Sequence, residues 1–318
     1  MCNSCVDTPS IFSTAGTAAN RIGVLGWILT SIAIAVTAIV AAVLLASLVR
    51  SRAAHGEEVQ RVRGGVRWIV IGGVIAPAVI LAAAFLFSVL TQSALADSPR
   101  GSMPTIQVIG HRWWWEVRYP EVAGQTVVTA NELHVVAGRR VRLELTSADV
   151  IHSFWVPRLA GKTDLIPGQR NTMWMEADRP GTFWGECAEY CGVQHAHMNL
   201  VVVAETPDQH DAWLAAQRAT AITPADSVSR RGQIVFEHAA CASCHTIRGS
   251  RAEGRIGPDL THLESRRTIA AGTFPNTRGN LAGWIANAQT LKPGSGMPTI
   301  ALPAADSRAL LAYLETLR

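Results

Sequence analysis

The stretch "GECAEYCGVQHAHM", residues 185–198, places two cysteines, two histidines, a glutamate and a methionine within one short segment. A hydrophobic core is built from aliphatic side chains, and a solvated loop gains nothing from two thiols. Thiolate, imidazole and thioether groups are instead the donors that bind copper and other soft metal ions. The segment therefore predicts a metal site, and the number of donors indicates its kind.

The donors follow the pattern C-x3-C-x3-H-x2-M, formed by Cys187, Cys191, His195 and Met198. A mononuclear blue-copper site uses one cysteine, two histidines and a weak axial methionine. The second thiolate is one more than such a site needs, and two thiolates can bridge two copper ions. Each ion then needs only one histidine, so a second histidine must come from elsewhere in the same domain.

That histidine is predicted to be His152, which lies among strong β-formers in "DVIHSFWVP", residues 149–157. The structural alternative is a disulfide between Cys187 and Cys191 with unrelated histidines nearby. A disulfide would leave the coincidence of His152, His195 and Met198 unexplained. His111, His134 and His197 have no place in this ligand set and are interpreted as ordinary residues.

A second motif, "CASCH" at residues 241–245, is the C-x-x-C-H pattern of covalent haem attachment. The thiols of Cys241 and Cys244 would bond to the haem vinyl groups, and His245 would become an axial iron ligand. A zinc site would need a second pair of ligands at similar spacing, and a redox dithiol would not need the histidine. The motif predicts haem c.

The second axial ligand of this haem is predicted to be Met297, in "KPGSGMPTI". Methionine opposite histidine raises the haem potential, which suits donation to a high-potential acceptor. The competing candidate is His262, which follows "GPDL" at residues 257–260.

Two segments, 24–49 and 68–96, contain no charged residue, and each exceeds the roughly 20 residues that cross a bilayer as a helix. The alternative is a pair of buried core helices. Residues 50–67 form a loop rich in arginine, and positively charged loops favour the cytoplasmic side of a membrane. The loop is therefore expected in the cytoplasm, and the tail 1–23 on the other side. Pro77 is expected to kink the second helix. Cys2 is either a lipidated residue or incidental, and no signal peptide is visible.

The remaining sequence divides into three parts. Residues 104–205 contain short β-rich segments such as "VRLEL" (141–145), "NTMWMEA" (171–177) and "NLVVVAE" (199–205), which predict a β-sandwich or barrel. Residues 206–227 form a helical connector and linker, and residues 228–318 a small helical domain. Charged residues make up 16% of the chain and no lysine- or arginine-rich block occurs, so nucleic acid is not an expected partner.

Several motifs together resemble subunit II of cytochrome c oxidase: "GHRWWWEVRYP" (110–120), "DVIHSFWVP", "LAGKTDLIPGQRN" (159–171) and the cysteine-rich stretch. The order of "CASCH", "GPDL" and "GMP" resembles class I cytochrome c. The chain is thus similar to the fused subunit II of bacterial caa-type oxidases. The resemblance implies a two-helix transmembrane hairpin, a cupredoxin-like Greek-key β-barrel and an all-α class I cytochrome c domain.

The resemblance also implies roles for individual residues. The dinuclear copper centre, CuA, would be bound by the side chains of the five donors and by a main-chain carbonyl: His152, Cys187, Cys191, His195, Met198 and the Glu189 carbonyl. The Glu189 carboxylate would bind magnesium or manganese shared with subunit I. Trp113 would accept the electron of an external cytochrome c, whereas Trp114 and Trp115 would serve packing.

Further implied contacts lie outside the copper ligands. Lys162 and Asp164 would belong to a polar segment facing subunit I, and the Pro258 carbonyl would accept the ring N–H of His245. One feature departs from the family pattern. A glutamate near the start of the second helix is common there, but no acidic residue occurs from Gln60 to Ala96.

The function implied is that of the subunit through which electrons enter a proton-pumping haem-copper terminal oxidase. Electrons would pass from haem c to CuA and on to subunit I, where oxygen is reduced, so this chain would have no catalytic residue of its own. Expected partners are subunit I, subunit III, and cytochrome c or quinol–cytochrome c reductase as donor. The expected location is the bacterial inner membrane, with both metal domains on the periplasmic side. The alternatives are a CuA subunit of a nitric oxide reductase and a membrane-anchored electron shuttle.

Overall fold

The computed structural model of this chain describes residues 9–53, 65–96, 103–121 and 124–318. The chain forms two units, each described by itself. One is the helical unit of residues 20–100, and the other contains the N-terminal tail and everything from residue 101 onward. Cys2 lies outside the described residues.

The helical unit contains most of α1 (Thr17–Ala53) and a second long helix built from α2 (Gly65–Val70), a π-helical turn (Ile71–Ile75) and α3 (Ala76–Ala96). Both are long and apolar enough to cross a membrane, and their most apolar windows are not buried. This exposure opposes the alternative of two buried core helices. Each helix extends beyond the predicted span.

The π-helical turn lies immediately before the turn that contains Pro77. Proline lacks an N–H group and its ring crowds the preceding turn, so a helix adjusts its hydrogen bonding nearby. A widened turn thus directly precedes the proline at which a kink is predicted. Near the other end of the pair, the Arg21 guanidinium donates to the Ala94 carbonyl at 2.6 Å, which joins the start of α1 to the end of α3.

The β domain consists of two five-stranded sheets. Their strands are β1 (Thr105–His111), β2 (Trp114–Arg118), β3 (Val128–Ala130), β4 (Glu132–Val136), β5 (Val141–Ser147), β6 (His152–Trp155), β7 (Thr163–Leu165), β8 (Asn171–Met175), β9 (Gly181–Cys187) and β10 (Asn199–Glu205). The order is β3-β2-β1-β5-β8 in one sheet and β4-β10-β9-β6-β7 in the other. The pairs β1/β5 and β4/β10 are parallel, and the others are antiparallel. The predicted cupredoxin-like β domain and its three quoted strands are confirmed.

Alternating side chains explain why these segments form strands. In β1 every second residue is buried, and β5 follows the same period over most of its length. The buried side chains lie between the sheets, where the largest are Trp115, Phe154 and Phe183. Burial on one face fixes the register, because a slip by one residue would expose the whole apolar set.

The tail before α1 packs on the β domain. The Ala15 N–H donates to the Arg158 carbonyl at 2.7 Å, and the Ala15 carbonyl accepts from Asp178 at 2.8 Å. Gly16 is so close to this surface that a Cβ would lie 2.3 Å from the Glu176 carbonyl oxygen. The residues just before α1 are thus fixed to the β domain.

The connector begins with α4 (Pro207–Arg218), whose N-terminus carries a capping box formed by Thr206 and Gln209. This helix packs on the β domain, where Trp213 stacks on the His134 ring with centroids 3.9 Å apart. The residues after α4 pair instead with the C-terminal domain, since the Ala221 N–H donates to the Arg248 carbonyl at 2.8 Å. The connector is therefore held at both ends.

The C-terminal domain is helical and contains a two-stranded ribbon. Its elements are α5 (Ser227–His238), α6 (Cys241–Cys244), β11 (Thr268–Ile269), β12 (Phe274–Pro275), α7 (Arg278–Ala286), α8 (Ala288–Leu291) and α9 (Ala304–Leu314). Helices α5 and α9 form its core, with Phe236 against Tyr313. They approach so closely that a Cβ at Gly232 would lie 2.0 Å from the Ala309 carbonyl oxygen. The predicted helical domain is confirmed.

Candidate metal centre and haem site

The predicted copper ligands come from three places at one end of the β domain. His152 begins β6, and Cys187 ends the neighbouring strand β9, where it pairs with Phe154. Cys191 lies in the following loop. His195 begins a short 3-10 turn, and Met198 closes that turn immediately before β10. Strand pairing thus brings a histidine from a distant part of the sequence to the cysteine-rich loop.

The five donor atoms form a connected cluster. The Cys187 and Cys191 sulfurs are 3.8 Å apart. The Nδ1 atom of His152 lies 3.9 Å from the Cys187 sulfur, and that of His195 lies 3.6 Å from the Cys191 sulfur. The Met198 sulfur is 3.8 Å from the Cys191 sulfur. One imidazole therefore stands beside each thiol, with the two sulfurs between them.

The two thiols are not bonded to each other, because a disulfide holds its sulfurs about 2.05 Å apart. Contact between the two thiols shifts their pKa values in opposite directions. The hydrogen bond from the Cys191 thiol lowers the pKa of Cys187 despite burial, and the hydrogen bond to His152 adds to this. The same contact with Cys187, together with burial, raises the pKa of Cys191. One thiol of the pair thus ionises more readily than the other, and a metal ion that binds both sulfurs would displace the remaining proton.

The donor set fits copper. Two thiolates, two imidazoles and a thioether are soft or borderline ligands, and His152, Cys187, Cys191 and Met198 are buried. The main-chain carbonyl of Glu189 lies 3.2 Å from the Cys187 sulfur, whereas the Glu189 side chain is exposed. Among the described residues, the cluster whose donor atoms lie close enough together to hold one metal ion consists of His152, Cys187 and Cys191, and both His195 and the Glu189 carboxylate are outside it.

Asp149 supports this cluster, and sequence analysis did not identify it. Its Oδ1 atom lies 2.9 Å from Nε2 of His152, and its Oδ2 atom accepts the Arg112 N–H at 2.7 Å. Burial opposes ionisation of Asp149, but the hydrogen bonds from His152, Val150 and Arg112 outweigh it and lower its pKa. In the sequence, the supporting role of Asp149 is indicated by its position three residues before His152.

Gly110 supports the same histidine by leaving room for it. A Cβ at this position would lie 2.7 Å from the His152 ring. The ring is therefore bounded by the glycine, by the Asp149 carboxylate and by the Cys187 thiol, and it is completely buried. Its orientation is set before any metal binds.

Two of the three consecutive tryptophans brace the ligand loop. The half-buried Trp113 donates its indole N–H to the Cys191 carbonyl at 3.0 Å. The fully buried Trp115 donates to the Met198 carbonyl at 3.4 Å. Trp114 stacks on His111 with centroids 4.3 Å apart. The packing role predicted for Trp114 and Trp115 is consistent with these contacts.

The three histidines interpreted as ordinary have other partners. His111 contacts the Glu116 carboxylate, and the His197 ring contacts the Gln194 side chain. His134 lies between the carboxylates of Glu132 and Glu205.

The haem motif forms the short helix α6 and ends in His245. Nδ1 of His245 lies 2.8 Å from the Pro258 carbonyl oxygen, which confirms the predicted contact. The ring also abuts Gly257, where a Cβ would approach it to 2.7 Å. Burial lowers the pKa of His245, which keeps the imidazole neutral and leaves Nε2 as its metal-binding atom. The unbonded thiols of Cys241 and Cys244 and this oriented ring fit a covalent haem.

The competing axial ligand, His262, is committed elsewhere. Its Nδ1 lies 2.7 Å from the main-chain oxygen of Arg318, and its Nε2 lies 3.1 Å from the Ala219 carbonyl oxygen. Both ring nitrogens are thus used to join the connector to the C-terminus. Met297 lies in the loop after α8, is half-buried, and has its carbonyl held by the Gln289 amide at 2.7 Å.

The segment expected to face a partner subunit lies beside the cysteine-rich loop. Lys162 is exposed, and its ammonium approaches the Ala188 carbonyl at 3.4 Å. Asp164 lies in β7, next to the strand that begins with His152.

Comparison with known proteins gives two family matches and many relatives. Residues 123–205 match the family described as cytochrome c oxidase subunit II, periplasmic domain, and residues 229–318 match the cytochrome c family. The chain is 40% identical over 214 residues to cytochrome c oxidase subunit 2 of Alkalihalophilus pseudofirmus, which covers 67% of this chain and 61% of that protein. It is 30% identical over 224 residues to the Bacillus subtilis protein of the same name, which covers 67% and 62%.

The chain thus spans about three fifths of the length of these relatives. Among solved structures, the periplasmic domain of subunit II of cytochrome oxidase from Bradyrhizobium japonicum is 30% identical. The match covers 37% of this chain and 95% of that one, with a TM-score of 0.35.

Proposed function

Because this chain belongs to the cytochrome c oxidase subunit II family and ends in a cytochrome c domain, we propose that it is the subunit through which electrons enter a proton-pumping haem-copper terminal oxidase. The observation that carries the proposal is the pair of thiols 3.8 Å apart with one imidazole beside each. When bound, a dinuclear copper centre and a haem c would supply one-electron transfer.

The geometry of the donor atoms supports the proposed ligand sets. The thiolates of Cys187 and Cys191, the imidazoles of His152 and His195, the Met198 thioether and the Glu189 main-chain carbonyl would hold the copper centre. Burial of four of these side chains excludes water, and the brace around His152 limits movement of a ligand when charge changes. The chain's own contribution is a rigid, dry site.

In the cytochrome domain, Cys241 and Cys244 would attach the haem, and His245 and Met297 would hold its iron. The engagement of both His262 nitrogens with main-chain carbonyls supports Met297. Methionine ligation would give the haem a high potential, suited to an acceptor further along the chain of carriers.

The proposed partners follow from membership of an oxidase. Subunit I would bind the haem groups at which oxygen is reduced to water, and subunit III would complete the complex. Lys162, Asp164 and the exposed Glu189 carboxylate would face subunit I, with magnesium or manganese bound there. A cytochrome c or a quinol–cytochrome c reductase would be the donor. This chain would have no oxygen-reducing residues of its own.

We further propose that the protein lies in a bacterial inner membrane. Its parts would be the periplasmic tail 1–23, membrane spans within α1 and α2–α3, a cytoplasmic loop between them, and the copper domain 104–205. The connector 206–227 and the cytochrome domain 228–318 would follow on the same side. The fixed contact between the tail and the β domain supports this topology.

Gas consumption by the native complex, purified through this chain, tests the proposed function. The complex is supplied with ascorbate and a small redox mediator, and oxygen and nitric oxide are offered in separate runs. Rapid, cyanide-sensitive oxygen uptake is expected. Nitric oxide consumption without oxygen uptake would assign the chain to a reductase. A chain that purifies alone with its metals and turns over neither gas would be an anchored electron shuttle.

A further inference from the structure

The copper domain and the cytochrome domain meet around a buried lysine. Lys292 is only 2% exposed. Its ammonium donates to the carbonyls of Trp113 at 3.0 Å and His197 at 2.7 Å in the copper domain, and to the carbonyl of Ala270 at 3.0 Å in the cytochrome domain. An ammonium group has three N–H donors, so these carbonyls can use all of them. The side chain crosses the interface and binds main chain on both sides.

The choice of lysine at this position is unusual in this chain. Of its 28 lysine and arginine residues, only Lys162 and Lys292 are lysines. A guanidinium presents its donors in a flat fork, whereas an ammonium is compact and directs three donors into a cone. Three carbonyls converging on one point therefore suit lysine and do not suit arginine.

The cytochrome-domain loop that meets the copper domain adopts a backbone conformation that side chains usually avoid. Ala270, Ala271 and Gly272 have positive φ angles of 53°, 58° and 74°. This conformation turns the Ala270 carbonyl toward Lys292 and lets the Ala271 carbonyl accept the Asn199 N–H at 3.0 Å. An unfavourable backbone persists only where the surrounding structure holds it, and here the surrounding structure includes the other domain.

Other contacts around the lysine make the interface continuous. The Gln194 amide donates to the Pro293 carbonyl at 2.8 Å, and the Arg267 N–H donates to the Glu132 carboxylate at 2.5 Å. Gly294 lies against Val193, where a Cβ would approach the valine side chain to 3.2 Å. The two domains therefore touch through several segments of each.

These contacts join the candidate ligand loops of the two sites. Lys292 begins the loop that leads to Met297, and His197 lies between the copper-ligand candidates His195 and Met198. We propose that Lys292 is a positioning residue that holds the cytochrome domain against the surface of the copper domain that contains Trp113 and His197. The chain's own haem domain thereby occupies the surface that a separate cytochrome c would need. This inference rests on the proposed function and adds to it a fixed internal donor.

The competing arrangement is a cytochrome domain that moves freely on its connector. A flexible tether would supply only a raised effective concentration, and the lysine would be exposed whenever the domains part. The two arrangements predict different lysine reactivities and different electron-transfer rates.

The first experiment measures lysine accessibility in the full-length chain with its haem and copper bound. A lysine-selective acylating reagent is applied, and the modified fraction of Lys162 and Lys292 is followed by mass spectrometry. The exposed Lys162 serves as the internal reference. We expect Lys292 to react at least tenfold more slowly than Lys162, and comparable rates would overturn the proposal.

The second experiment compares Lys292→Met and Lys292→Arg with the wild type. Flash reduction of the haem is followed by the decay of the ferrous haem band and the change in the near-infrared copper band. The reaction moves one electron from ferrous haem to the oxidised copper pair, with no bond made or broken. We expect the Lys292→Met rate to fall at least tenfold, with unchanged spectra and haem potential, and Lys292→Arg to recover part of it.

A matched control removes an exposed cation from the same domain. Arg308 lies on the exposed side of α9, so Arg308→Met should leave the transfer rate within twofold of wild type. A Lys292→Met rate equal to that of the control would overturn the positioning role, as would a loss fully explained by a shifted haem potential. If the wild-type chain itself lacked the near-infrared copper band, the proposed function would fail, while the acylation result would still decide whether the lysine is locked in the interface.

Discussion

The Asp149 carboxylate is the contact whose removal tests the copper site most directly. Its Oδ1 atom serves both the His152 ring, at 2.9 Å, and the Val150 N–H, at 2.7 Å, while Oδ2 serves the Arg112 N–H. In Asp149→Asn one oxygen becomes an NH2 group, which cannot accept a hydrogen bond. Whichever way the amide turns, either Arg112 or the His152 side loses its acceptor.

The magnitude follows from the same contacts. Loss of a partner that orients a metal-bound histidine typically lowers metal affinity by about 10- to 100-fold. This corresponds to roughly 1.4 to 2.7 kcal/mol of binding free energy. Since the His152 ring is also confined by Gly110 and Cys187, it should keep its approximate place. We expect a weaker copper site that still forms.

The assay is competition between the full-length protein and a copper chelator of known affinity, followed by the near-infrared copper band. Asp211→Asn is the control, because the Asp211 side chain is 82% exposed and distant in sequence from the ligands. A copper affinity for Asp149→Asn within twofold of that control would refute the argument that this carboxylate orients His152.

Three further predictions concern other groups. Cys191→Ser should abolish the near-infrared copper band and leave the haem spectrum intact, and retention of the band would contradict the bridging thiolate. Met297→Leu should lower the haem potential without loss of haem, because thioether ligation raises it, and an unchanged potential would remove this methionine from the iron. For His134, burial opposes protonation, but hydrogen bonds to Glu132 and Glu205 outweigh it and raise the pKa. Protonated His134 therefore stabilises the folded protein fully at pH values below the unfolded-state pKa of about 6.5. This stabilisation is lost as the pH rises through the higher folded-state pKa. The thermal stability lost in His134→Gln should be larger at about pH 6 than at about pH 9, and equal losses would contradict this linkage.

Local patterns were sufficient to predict most of the architecture. The two uncharged runs, the alternation in the β strands and the C-x-x-C-H motif each involve residues close together in sequence, and each is typical of one local structure or binding site. An uncharged run matches a helix of bilayer length, and alternation matches a sheet with one buried face. The helix ends differed from the predicted spans because polar and small residues such as Thr17 and Gly65 continue a helix beyond its apolar part.

The ligand residues could be proposed for a related reason, since their types carry the chemistry. Cysteine, histidine and methionine are rarely clustered at close spacing unless they bind a metal ion or a cofactor. The choice between Met297 and His262 was different, because both are possible iron ligands by type. The structure bears on this choice through the carbonyls of Arg318 and Ala219, which reach His262 from parts of the chain far away in sequence.

The order of the three parts, the residue types of both candidate sites and their soft or covalent chemistry could all be predicted without a structure. Which groups support those sites, and how the domains meet, became visible only in the folded chain. Asp149, Gly110 and Lys292 are common residue types without a motif, and their roles arise from contacts across strands or between domains. Such contacts depend on distance in space, and sequence spacing does not encode that distance beyond one helix turn or one pair of strands.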